Sequence, residues 1–131
     1  MNIREIVLNK NQILIIDPDP LAQESLIDLL GEKHLVLQAD SYEEALTQLS
    51  SSTRISAVIL GINARFNDSG FLRSLRDYAP DIPLILHSGF PSVELDVNIP
   101  EFMQPYEVVR KSDYPNRIQE VLTSMLADDS D

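Results

Sequence analysis

Cysteine is missing from this chain of 131 residues, which excludes disulfide scaffolds, zinc ribbons and thiol chemistry. Basic residues are few: 10 Lys and Arg stand against 21 Asp and Glu, a formal net charge of −11. A surface this acidic repels the phosphates of nucleic acids and of anionic lipids, so direct binding to either is not expected. No apolar run approaches the ~18 residues of a membrane span. Residues 1–11, with Arg4 and Glu5 among them, lack the core of a signal peptide. Glycine numbers only 4, and neither a G-x-G-x-x-G nor a P-loop occurs. What remains is the expectation of a soluble, cytoplasmic domain whose partners are proteins or small molecules.

The residues present describe one ordinary globular domain. Hydrophobic residues make up 44% and charged residues 24%, a balance that supports a core without cross-links. The expected organisation is an N-terminal extension over 1–11, a folded domain over 12–127 and an acidic tail over 128–131. In the extension, Ile3, Ile6 and Val7 have helical spacing.

Two patterns alternate along the domain. Ile13-Leu14-Ile15-Ile16, Ala57-Val58-Ile59-Leu60 and Leu84-Ile85-Leu86 are short apolar runs bounded by turn residues, which suits strands buried on both faces. Leu35-Val36-Leu37 and Val108-Val109 are shorter versions, expected nearer the sheet edges. Between them lie helical patterns. Asp19 caps a helix with Pro20 at its first position and Gly31 at its end, placing Ala22, Leu26, Leu29 and Leu30 on one face. Ser41 and Glu44 form a capping box for a second helix with Ala45, Leu46 and Leu49 inward. A third starts at Asp68 or Ser69 and carries Phe71, Leu72, Leu75 and Tyr78 inward. Asp113 precedes the last, with Ile118, Val121, Leu122 and Met125 as its stripe.

The expected fold is α/β: a doubly wound, five-stranded parallel sheet with helices on both faces. Between Ser88 and Tyr106 the prolines 91, 100 and 105 disrupt a helix, so the fourth helix is expected to be short or irregular.

In such a sheet the functional crevice lies beyond the carboxyl ends of the strands. The residues there are Asp17, Pro18 and Asp19 after the first strand, Gly61 to Asn63 after the third, Ser88 and Gly89 after the fourth, and Arg110 or Lys111 after the fifth. Three of these segments carry a resemblance. Residues 13–21, ILIIDPDPL, are similar to the first strand and acidic turn of response-regulator receiver domains. Residues 81–89, DIPLILHSG, resemble the fourth strand and its Ser/Thr followed by a small residue. Residues 108–113, VVRKSD, resemble the strand that ends in the family's lysine. Lys111, rather than Arg110, keeps Ile118, Leu122 and Met125 at the family's apolar helix positions. The resemblance covers residues 12–127 and implies a flavodoxin-like strand order of 2-1-3-4-5. It also implies phosphoryl transfer from a histidine kinase to an aspartate after the third strand, assisted by Mg²⁺ and the lysine.

The sequence departs from that pattern where the chemistry would occur. Gly61 stands at the acceptor position and has no side chain to phosphorylate. Pro18 replaces the second of the paired acidic residues, leaving Asp17 and, less directly, Asp19. Mg²⁺ wants several clustered oxygen ligands, so its binding is expected to be weak or absent and no cofactor is expected. The aromatic residue of the family, three before the lysine, is Val108. Asp68 reads as a helix cap rather than a substitute acceptor, and Asn63 cannot form a stable acyl phosphate. His34 and His87 read as structural or surface residues.

The expectation is therefore a degenerate pocket of Asp17, Pro18, Asp19, Gly61, Ser88 and Lys111 with no catalytic residue and no metal site beyond Asp17 as a weak candidate. Asp17 and Lys111 are expected to form a structural ion pair. Phe90, Phe102, Tyr106, Val108 and Tyr114 are candidates for an interaction face, although Phe90 and Phe102 read rather better as pins that hold the irregular segment to the core. The expected function is a non-enzymatic, phosphorylation-independent receiver-like module of two-component (phosphorelay) signalling. Its partners would be proteins, such as a histidine kinase or output domain, or a second copy of the chain. The alternatives are a conventional phosphoaccepting response regulator and, more weakly, a flavodoxin-like ligand-binding protein. The latter would need a phosphate cradle, whereas residues 17–20, DPDP, offer two carboxylates and two missing donors.

Overall fold

Five apolar segments pair side by side because each can be buried on both faces. The computed structural model describes residues 11–51, 55–62, 69–88, 101–103, 105–111 and 116–127. Its strands are β1 (Gln12–Ile16), β2 (Leu35–Ala39), β3 (Ile55–Ile62), β4 (Leu84–Ser88) and β5 (Glu107–Arg110). All neighbouring pairs are parallel and the order is β2-β1-β3-β4-β5. This is the doubly wound, flavodoxin-like order expected from the sequence. β3, in the centre, is longer than its apolar run: Ile55, Ser56, Gly61 and Ile62 also join the sheet.

The helices are α1 (Pro20–Leu30), α2 (Tyr42–Ser51), α3 (Ser69–Tyr78) and α4 (Asn116–Ala127). Alternation along the strands divides the core into two layers. Leu14, Ile16, Val58, Leu60, Leu84 and Leu86 pack with Ala45 of α2 and Phe71, Leu72 and Leu75 of α3. Ile13, Ile15, Ala57, Ile59, Ile85 and Val109 pack with Leu26 and Leu30 of α1 and Ile118, Val121 and Leu122 of α4. Tyr42 of α2 stacks on Phe71 of α3 with centroids 4.1 Å apart, which joins the two helices on the first face.

Local chemistry sets the helix ends. The Leu21 N–H donates to Asp19 Oδ1 at 3.0 Å, so Asp19 is the cap of α1, with Pro20 following it. Gly31 closes α1 in right-handed geometry at φ −66°, not in the left-handed form common at helix ends. A Cβ there would lie 2.7 Å from the Ile27 carbonyl oxygen, so the close approach is what favours glycine. The Glu44 N–H donates to Ser41 Oγ at 3.1 Å. Glu44 reaches back to the Asp40 N–H at 3.5 Å rather than to that of Ser41, so only half of the expected box forms. Tyr78 was expected inward but is 57% exposed, because it is the last residue of α3.

Between β4 and β5 the described residues contain one 3₁₀ turn, Glu101–Met103. Arg76 of α3 holds it in place. The buried guanidinium donates to the carbonyls of Met103 (2.8 Å), Pro105 (2.7 Å) and Ile82 (3.0 Å). Arg73 stands over the Phe102 ring, 4.4 Å from its centroid. Residues 89–100 and 104 of the proline-rich stretch, with Pro91 and Pro100 among them, lie outside the described residues. The candidates Asn63, Asp68, Gly89, Phe90, Asp113 and Tyr114 lie outside the described residues.

Candidate functional site

Sheet register builds the site. β1 pairs Ile15 with Ile59, and β3 pairs Gly61 with His87, which in turn faces Val109. Asp17 and Lys111 lie two residues beyond Ile15 and Val109. Because side chains alternate, Asp17, Gly61, His87 and Lys111 share one side of the sheet at the carboxyl ends of its strands. Four segments far apart in sequence thereby converge on one site.

Asp17 is its centre. It is only 2% exposed. Its Oδ1 accepts the Asp19 N–H at 2.9 Å, and its Oδ2 accepts no hydrogen bond but lies 3.5 Å from Lys111 Nζ. The lysine side chain is 33% exposed, so the pair joins a buried anion to a half-buried cation. Asp17 and Lys111 therefore meet directly. Asp19 serves the helix cap, and Pro18 is exposed.

Gln23, one turn into α1, secures the carboxyl end of β1. Its buried Nε2 donates to the Asp17 carbonyl, to the Ala39 carbonyl at 3.0 Å and to Asp40 Oδ1 at 3.1 Å. The ends of β1 and β2 are thus held by one amide. No sequence motif marks Gln23, since a polar residue in an amphipathic helix normally faces water.

His87 was also missed as a member of the site. It is 3% exposed, and its pKa is lowered to about 4, first by burial and then by Lys111, with Asp17 opposing. The imidazole is therefore neutral at pH 7. Its place directly after the apolar run Leu84-Ile85-Leu86 of that strand is the signal that could have pointed to it. Ser88 is fully buried and opposes Ile62 and Arg110. It follows His87 in the strand, so it points to the other side of the sheet.

Three of the interaction-face candidates lie among the described residues. Phe102, Tyr106 and Val108 are partly buried and packed on the core, and Phe102 lies beneath Arg73.

The donor set does not fit Mg²⁺. Gly61 supplies no oxygen from a side chain, Pro18 supplies none either, and the one buried carboxylate already faces a lysine ammonium. Among the described residues, no group of three or more His, Cys, Asp or Glu is arranged to hold a metal. Nor is any described helix long and apolar enough to cross a membrane.

No family model matches the sequence, and no curated protein matches it. Solved structures do match. A receiver domain protein from Methanospirillum hungatei, described as CheY-like, superposes with a TM-score of 0.78 at 20% identity, covering 92% of this chain and 96% of the other. The signal receiver domain of an HD domain-containing protein from Pseudomonas fluorescens gives 0.78 at 21%, covering 91% and 96%. A response regulator receiver protein from Sinorhizobium medicae gives 0.74 at 21%, covering 92% and 97%. The chain has the fold of response-regulator receiver domains.

Proposed function

We propose that this chain is a receiver-like module of two-component signal transduction that works without phosphorylation, as a degenerate or pseudo-receiver. Shared fold supports the first half of this reading. The second half rests on one observation: glycine stands at position 61 near the carboxyl end of the central strand, and the Asp17 carboxylate occupies the space where an acceptor side chain would begin. An aspartyl phosphate needs a carboxylate nucleophile with room around it and a metal to neutralise the moving group. Asp17 is buried and paired, and the remaining donors do not suit the metal.

On this reading the module is not an enzyme and uses no cofactor. It acts through protein contact, with a histidine kinase, an output domain or a second copy as the class of partner. Its state is set by the fold or by the partner rather than by phosphate. The test is incubation of the full chain with a small-molecule phosphodonor and Mg²⁺, followed by intact mass measurement. The expected result is no phosphoryl adduct. An adduct that maps to any aspartate overturns the proposal in favour of a conventional phosphoacceptor.

A further inference from the structure

The site owes its arrangement to a side chain that is not there. A Cβ built on Gly61 overlaps the Asp17 carboxylate, with Oδ2 and Cγ as the nearest atoms and Asp17 Cβ at 3.0 Å. Gly61 sits in extended strand between Leu60 and Ile62, and its φ lies outside the left-handed region. Backbone conformation therefore does not call for glycine here; the missing Cβ does. The carboxylate lies against the β3 backbone with Oδ1 on the Asp19 N–H and Oδ2 towards Lys111.

We propose that Gly61 is the seat of a built-in latch: its bare backbone lets Asp17 of the β1 end reach Lys111 at the β5 end, and any side chain at position 61 opens that pair. This deepens the phosphorylation-independent reading and rests on it, because an acceptor carboxylate on β3 would compete with Asp17 for the same lysine. A Cβ at 61 requires the Asp17 carboxylate to turn aside, and both of its contacts depend on its present position. The lysine is then held by the fold itself, across the strands from β1 to β5, rather than by a group added to β3.

A double-mutant cycle in the full chain tests this, with Gly61→Ala, Lys111→Met and the double variant unfolded in urea at pH 7 and low salt. In the unsubstituted background, Lys111→Met leaves a buried anion without its counter-charge, and the unfolding equilibrium constant is expected to rise about tenfold. In the Gly61→Ala background, where the pair is already open, the same substitution is expected to raise it less than about threefold. Equal effects in both backgrounds overturn the latch. Should Gly61→Ala not fold, Asp17→Asn serves instead, since it keeps the oxygen that accepts from Asp19. Acetylation of Lys111, followed by peptide mass spectrometry, is then expected to run several-fold faster than in the unsubstituted chain, and an unchanged rate overturns the proposal. A coupled cycle in a chain that also takes up a phosphoryl group supports the latch and overturns the reading of the previous subsection. An additive cycle in a chain that takes up none overturns the latch alone.

Discussion

Asp17, Gly61 and His87 show how single residues decide what this pocket can do. Restoring an aspartate by Gly61→Asp would put two carboxylates in a buried space that holds one lysine. Like-charge repulsion and desolvation then predict a loss of about 2–3 kcal/mol, read as a lower urea midpoint. A midpoint equal to that of the unsubstituted chain would show that the pocket has room to spare. His87 gives a prediction with a definite sign. Its folded pKa of about 4 lies below its ordinary value of 6.5, so the unfolded chain binds a proton that the folded chain refuses. Above pH 6.5 the histidine contributes nothing to the pH dependence. As pH falls from 6.5 to 4, stability declines, by about 3 kcal/mol in all. Urea midpoints measured between pH 7.5 and 5 should therefore fall less steeply in His87→Val than in the unsubstituted chain. Identical slopes would remove His87 from the account.

At the scale of elements, the strands and most of the helix faces were legible in the sequence, and the polar residues buried among them were not. Ile13 to Ile16 and Val58 to Leu60 announce strands because only a doubly covered sheet buries such runs. Gly61 could be placed because it directly follows such a run, and Lys111 because the resemblance, with Ile118, Leu122 and Met125 at the right spacing, favoured it over Arg110. Arg76 is the contrasting case. It sits in a helix at an ordinary basic position, and only tertiary contact turns its guanidinium towards the carbonyls of Met103, Pro105 and Ile82. His87 and Gln23 were hidden for the same reason: their value depends on sheet register and on neighbours contributed by other segments. Arg76→Met is expected to cost about 2 kcal/mol, since the buried Met103 carbonyl and the part-buried carbonyls of Pro105 and Ile82 lose one donor together. The loss should also raise hydrogen exchange selectively over residues 101–107. Unchanged protection there would mean that Phe102 and Met103 hold the turn without the arginine.

The molecule as a whole combines a receiver-like fold with a charge of −11. Net charge of this size opposes compactness through self-repulsion, and the opposition weakens as salt shortens the Debye length from about 30 Å at 0.01 M to 8 Å at 0.15 M. The urea midpoint should rise over that range, and a falling midpoint would mean that attractive pairs such as Asp17–Lys111 outweigh the overall repulsion. The central claim is that the fold persists while its phosphate chemistry does not. Its most direct test is an amide NMR titration of the full chain with Mg²⁺ and then with beryllofluoride, which mimics an aspartyl phosphate. The account predicts no saturable shifts at Asp17, Gly61, His87, Ser88 or Lys111. Saturable shifts that start there and spread into β5 and α4 would contradict it and identify a working acceptor.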